Sequence, residues 1–307
     1  MYKQIQSVFL LFFLSLVAAS AQEKPNNIPD KLDNSLLWEL SGKGIKKSYI
    51  FGTIHMISEK DFILDEKTMK AIKKCKKMVM EIDISQSLQM GIKLMALSGM
   101  KGGKTLADFV SAEDYQMVKT YFEKEAKSAE AKMLPFEMIE KWKPMLLQSF
   151  LYQDMIEGSI KSYEMELLKI GTELKMKFDG LESVEDQVNV FEKIPYADQA
   201  KALVELIKEI KKDANSGKAE FKKLIDMYLA QDIDGMVQMS GEEFFGDLEN
   251  GEAELLTNRN QKWIPKIKAF SKEKPTFYAV GAAHLGGPNG VIRLLMKEGF
   301  TLKAVKK

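Results

Sequence analysis

The feature that most constrains this chain is one that it states twice. Tyr49-Ile50-Phe51-Gly52-Thr53-Ile54-His55 aligns without gaps to Tyr278-Ala279-Val280-Gly281-Ala282-Ala283-His284. Each segment is an apolar strand that reaches a glycine and, three residues later, a histidine. These are the only two histidines in 307 residues, and the chain has 20 glycines, so chance is a poor account of the pairing. Glycine at a strand's end lets the backbone turn sharply or lets another group approach closely. The histidine then projects from the strand's end, which in an α/β sheet is where ligands sit. Imidazole suits zinc-class metals, and manganese or iron alongside carboxylates. Two histidines do not fill a coordination shell, so at least one carboxylate should converge with them. The competing reading makes each histidine a hydrogen-bonded packing residue. A matched pair at opposite ends of the chain weighs against it.

The segments between the two motifs alternate in character. Residues 36–40 and 48–54 read as a hairpin around Ser41-Gly42-Lys43-Gly44. A helix over 65–77 leads to a strand over 78–84. A long helical stretch follows, broken at Gly99 to Gly103, near Pro135 and at Pro144. Residues 165–174 read as helix and 177–181 as a short strand. Ser183, with Asp186 three residues on, caps the next helix. Helices over 196–212, 218–230 and 252–270, a strand over 276–282, a helix over 288–298 opening on Pro288, and a strand over 300–305 complete the chain. The expected class is α/β at both ends with a mostly helical middle.

Residues 1–21 read as a signal peptide: Lys3, an apolar core over 8–18, and Ala19-Ser20-Ala21 as the cleavage site, with Gln22 as the new N-terminus. The alternative is an uncleaved anchor. Residues 22–35, with Pro25 and Pro29, are expected to form a flexible leader, and 36–307 one domain. The destination is then periplasmic or extracellular, with no transmembrane segment left after cleavage. No cysteine follows the apolar core closely enough to carry a lipid. Cys75 is the single cysteine, so no intrachain disulfide forms, and its place on an apolar helix face marks it as a core residue. Lys and Arg number 45 and Asp and Glu 44. That balance speaks against a nucleic-acid partner, which needs a basic surplus. The lysine cluster from Lys73 to Lys77 reads as a solvated helix face.

Three further residues are site candidates. Glu81 lies on the strand that follows the first motif; either it faces water with Asp83, or its strand neighbours the one ending at His55 and it joins the site. Glu182 follows a short strand and either serves the next helix's N-terminus or faces the site. Arg259 shares a helix face with Leu255 and Trp263, so its guanidinium needs a buried acid or a substrate oxygen. After His284, Gly286, Gly287 and Gly290 precede a helix whose amides would point toward that histidine. No Gly-Lys-Ser/Thr follows, so nucleotide binding is not expected.

These blocks resemble the TraB/GumN family. Leu37-Trp38-Glu39-Leu40-Ser41-Gly42, Ser48 to Met56 and Met80-Glu81-Ile82-Asp83 look like its opening. Gly180-Leu181-Glu182-Ser183 with Gln187 looks like its centre. Asn258-Arg259-Asn260 with Trp263, and Ala279 to Gly286 with Gly290, look like its close. The resemblance implies a mixed sheet built from two related halves around the site, with a large helical middle segment as an insert at about 108–173. It also implies similarity to TIKI, a divalent-metal-dependent protease acting on Wnt, whose activity needs both Gly-x-x-His motifs. Those correspond to Gly52 with His55 and Gly281 with His284, and an acid of the strand after the first motif corresponds to Glu81. The expectation is an exported metal-dependent hydrolase acting on a peptide or protein. His55, His284 and Glu81 would hold manganese, cobalt or zinc. Glu182 would be a further ligand or general base, and Arg259 would stabilise the oxyanion or orient a carboxylate. The alternative is a non-catalytic peptide- or haem-binding protein of the same fold.

Overall fold

A computed structural model describes residues 28–212, 216–240, 248 and 250–306. The expected signal peptide lies outside the described residues. The first part of the fold runs β1 (Leu37–Ser41), β2 (Ser48–Thr53), β3 (Met56–Ser58), α1 (Glu66–Lys73), β4 (Lys77–Met80), α2 (Ser87–Ser98), α3 (Ala112–Thr120), α4 (Ala129–Met133), α5 (Phe136–Ile139) and α6 (Pro144–Met155). Next come β5 (Ile160–Ser162), α7 (Tyr163–Glu173), β6 (Lys177–Gly180), α8 (Val184–Phe191), α9 (Tyr196–Lys212), α10 (Ser216–Leu229) and α11 (Ile233–Met239). The chain closes with α12 (Asn258–Glu273), β7 (Thr276–Gly281), α13 (Val291–Lys297) and β8 (Thr301–Ala304).

The fold is α/β, with one mixed sheet in the order β6-β4-β7-β2-β1-β8. β6, β4, β7 and β2 run parallel, whereas β1 is antiparallel to both β2 and β8. The two motif strands are direct neighbours in this sheet: Tyr49 sits opposite Phe277 and Thr53 opposite Gly281. Their histidines therefore leave the same edge. β4 neighbours β7, not β2, so the acidic strand lies beside the strand leading to His284. β4 also stops at Met80, short of the expected residue 84. Lys77 to Met80 are buried on both faces, as a parallel strand between two helical layers requires, so the in-out alternation expected there does not apply.

Capping follows the expected chemistry. Asp65 accepts from the Thr68 amide at 2.8 Å to open α1. Ser183 and Asp186 form a reciprocal capping box on α8. The last helix begins at Val291, not Pro288, and the Ile292 amide donates to Leu285 O, so it offers no row of free amides to His284.

Two apolar cores form. The larger one holds the sheet and includes Ile50, Phe51, Met78, Phe277, Tyr278 and Trp263. Cys75 lies in it, and burial pushes its thiol up to about 12. The second core is purely helical and joins Leu106, Phe122, Phe136 and Leu147 to Leu203 and Ile207 of α9. The helical insert thus draws on α9 as well, while Tyr163 and Leu167 of α7 pack with the sheet. Part of the expected flexible leader is packed instead. Leu32 and Ser35 are buried, the Leu32 amide donates to Asp234, and Arg293 donates to the carbonyl of Asp30. Among the described residues no helix is long and apolar enough to cross a membrane.

Candidate functional site

Close approach requires the first motif glycine and bears more lightly on the second. A Cβ on Gly52 would lie 2.9 Å from Leu285 Cδ1 and 3.1 Å from Ala282 Cα, so β2 can meet the turn after β7 only with glycine there. A Cβ on Gly281 would lie 3.3 Å from Glu81 Oε1. That vacancy lets the Glu81 carboxylate accept from the Gly281 amide at 2.8 Å.

Beyond these glycines, four side chains from four elements converge on one buried point. Arg259, from the first turn of α12, stands at the centre. Its Nη2 donates to Glu81 Oε2 at 2.6 Å and to Glu182, and its Nε donates to Glu182 at 3.1 Å. Its Nη1 donates to Leu255 O and to His284 Nε2, each at 3.0 Å. All five guanidinium N–H groups are engaged. Gln187 of α8 adds a hydrogen bond to Glu81 Oε2 at 3.2 Å, and Trp263 Nε1 one to Glu182 at 3.3 Å. The backbone joins the two acids as well, because the Glu182 amide donates to Glu81 O.

Electrostatics assigns the charges. Burial is the largest influence on Glu81 and opposes its ionisation, but Arg259, the two histidines and the Gly281 amide together outweigh it and hold the carboxyl well below the usual carboxylate range. Glu182 is raised by burial even though Arg259 opposes the shift. His284 is depressed to about 3 by burial, reinforced by Arg259. The ring is therefore neutral near pH 7. It accepts at Nε2 from Arg259 and donates from Nδ1 to Asn260 Oδ1 at 2.6 Å. Asn260 is oriented by its own Nδ2, which donates to Asn289 O. Trp263 packs against the imidazole with ring centroids 4.4 Å apart.

His55 occupies a different setting. It follows β2 at the mouth of a recess, with 68% of its side chain open to solvent. Its Nδ1 donates to Glu164 Oε1 at 3.0 Å. Ser162 and Thr53 donate to the same carboxylate. The Glu164 hydrogen bond lifts His55 to about 9. The recess measures about 220 Å³ and is lined by His55, Glu164, Glu81 and Gln187, with Met90 and Leu94 of α2 on the apolar side. The charge of His55 also reaches Glu81 and His284, lowering both.

The structure thus gathers Glu81, Glu182, Arg259 and His284 into one cluster and sets His55 beside it, across the shared recess. Sequence reasoning missed Glu164, Asn260 and the role of Gln187. Trp263 does follow Arg259 at helix spacing, and Asn260 is its direct neighbour in the chain. Glu164 left no signal, because an acid in a helix's first turn reads as a charge serving the helix end.

The expected metal shell does not form. Among the described residues no group of three or more His, Cys, Asp and Glu side chains is arranged to hold a metal ion. The cause lies in the donors. Glu81 Oε2 and His284 Nε2 both receive N–H groups of Arg259, and Glu81 Oε1 receives the Gly281 amide. The cation that these donors surround is the guanidinium itself. Nor does Arg259 keep an N–H group for an oxyanion.

Comparison with known proteins bears on the same residues. The profile of a family described as TraB/PrgY/gumN matches residues 36–304, which includes every side chain of the cluster. The chain is similar to metalloprotease TIKI1 of Danio rerio, 21% identical over 324 aligned positions that cover 90% of this chain. It spans 64% of that relative's length. No solved structure matches.

Proposed function

Because the chain belongs to the TraB/PrgY/gumN family, we propose that it is an exported hydrolase of peptidase type, working at the recess shared by His55, Glu164 and Glu81. The observation that carries this reading is the convergence of Glu81, Glu182, Arg259 and His284, from separate elements, at the carboxyl ends of parallel strands. Buried charge on this scale is costly to assemble, and such clusters concentrate where chemistry is done. The likeness to a metalloprotease gives the direction of the reading. Export rests on residues 1–21.

The residues suggest a division of labour. Arg259 acts as a clamp. It holds Glu81 ionised and fixed on the recess wall, where the carboxylate accepts from an attacking water and orients it. His55 holds a proton at Nε2 while Nδ1 stays bonded to Glu164; it donates that proton to the leaving amine and regains the one that the attacking water releases through Glu81. Glu182 and His284 hold Arg259 in place. No step is assigned to a metal, because two of the three donors expected for one, Glu81 and His284, are occupied by Arg259 and the Gly281 amide. The haem-binding alternative gains nothing here, since both ring nitrogens of the buried His284 are already used.

The test is cleavage of unstructured peptides by the purified chain, followed by mass spectrometry, with EDTA and with added manganese, cobalt or zinc. Wild type is expected to cleave, and His55→Ala and His284→Ala to lose the activity. Full activity in the double variant would overturn the reading. Activity abolished by EDTA and restored by one metal would show that an ion displaces Arg259 from Glu81.

A further inference from the structure

The His284 ring is held on three sides by one turn of α12. Arg259 Nη1 donates to its Nε2 at 3.0 Å, Asn260 Oδ1 accepts from its Nδ1 at 2.6 Å, and Trp263 packs on it with ring centroids 4.4 Å apart. Arg259 and Trp263 also bind Glu182, so the ring is only part of their task. Asn260 has a narrower one. Its side chain bonds to the ring and to the carbonyl of Asn289, in the loop that follows His284. It is 2% exposed and does not line the recess, so it touches no substrate.

The direction of this amide is fixed from behind. Asn289 O is a backbone carbonyl and only accepts, so Nδ2 faces it at 2.9 Å and Oδ1 faces the ring. An amide oxygen also only accepts, so the ring proton sits on Nδ1 and Nε2 keeps its lone pair. That lone pair is what Arg259 needs. Nη1 has two hydrogens; one goes to Leu255 O and the other to His284 Nε2. With the ring proton on Nε2 instead, two donors would meet at 3.0 Å and two acceptors at 2.6 Å. The guanidinium would turn away, and Nη2 would leave Glu81 Oε2. We propose that Asn260 is a positioning residue for hydrolysis: it selects the tautomer of His284 and, through that ring, sets the guanidinium that aims Glu81. The proposal rests on the hydrolase reading and adds to it a residue that acts only through others.

The test reads the tautomer itself. The chain has only two histidines, so NMR of the full chain labelled with nitrogen-15 histidine shows two imidazoles, and His55→Gln leaves His284 alone in the spectrum. At neutral pH wild type should show His284 with its proton on Nδ1 and none on Nε2. Asn260→Leu removes the acceptor at similar volume. The proton should then divide between the two nitrogens, while kcat on peptides falls about tenfold or more and KM stays within about twofold, as for a displaced group that touches no substrate. Asn260→Asp puts an acceptor oxygen back and should return the proton to Nδ1 and recover most of the lost kcat. A wild-type His284 proton on Nε2 would overturn the proposal, and that measurement stands even if Asn260→Leu does not fold. So would an Asn260→Leu protein that keeps the wild-type tautomer or the wild-type kcat, or an Asn260→Asp protein as slow as Asn260→Leu. Cleavage with the proton on Nε2 would leave the hydrolase reading standing and remove the tautomer lock. The Nδ1 proton without any cleavage would do the reverse.

Discussion

Arg259 is the residue on which the site turns. Its helix face predicted burial and so a partner, and the structure supplies three: Glu81, Glu182 and His284. Removing one member of a buried ion pair leaves the other charge uncompensated. Arg259→Met should therefore cost about 3–5 kcal/mol, read from urea denaturation, because two acids would then face each other inside the protein. A loss below about 1 kcal/mol, the worth of an exposed ion pair, would mean that the cluster is not buried as described. The need for an acid was legible in the sequence, but which acids would answer was not, since Glu81 and Glu182 each had an ordinary reading at the surface or at a helix end. Glu164 was invisible for the same reason: nothing local separates a carboxylate that caps a helix from one that holds a histidine.

At the scale of elements, the two motif glycines look alike in sequence and do different work. Gly52 lets β2 pack against Leu285 and Ala282, whereas Gly281 leaves room for the Glu81 carboxylate. Gly52→Ala should destabilise by about 1–3 kcal/mol, as overpacking in a close-packed interior does. Gly281→Ala should leave stability nearer to wild type and lower hydrolysis, because it moves Glu81 from its bond to the Gly281 amide. Paired measurements of Tm and peptide cleavage check this, and equal effects of both substitutions on both readouts would contradict it. The paired strands were legible because apolar residues ending in glycine and histidine repeat at both ends. The neighbour of β4 was not. Parallel partners are set by long crossovers, and local pattern carries no record of which strand lies next door.

Across the whole molecule, two histidines of opposite shift set the pH dependence of stability. The folded value of His284, about 3, lies below its ordinary 6.5. Its contribution is then complete above about 6.5 and is lost as the pH falls toward 3, because the unfolded chain takes up the proton first. Glu81, also lowered, adds to the loss at still lower pH. His55 runs the other way, from 6.5 to about 9. Its contribution is complete below about 6.5 and is lost as the pH rises through 9, by a smaller amount because the ring is open to solvent. Tm should peak near pH 6.5, with a shallower acid limb in His284→Asn; an acid limb unchanged by that substitution would contradict the assignment. Composition and motif order made the α/β frame readable. The packing of residues 28–35 was not readable, because it runs through backbone groups of Asp30 and Leu32 that any side chain could present.

The central claim is that His55 and the clamped Glu81 act on one reacting bond from two walls of a single recess. A double-mutant cycle on peptide hydrolysis measures that directly. Glu81→Gln and His55→Ala should each lower kcat by about 100-fold or more, and the double variant should be no slower than the worse single one, as for groups that act as a unit. Losses that simply multiply, or a single variant that retains wild-type kcat, would show that the two residues do not share a reaction.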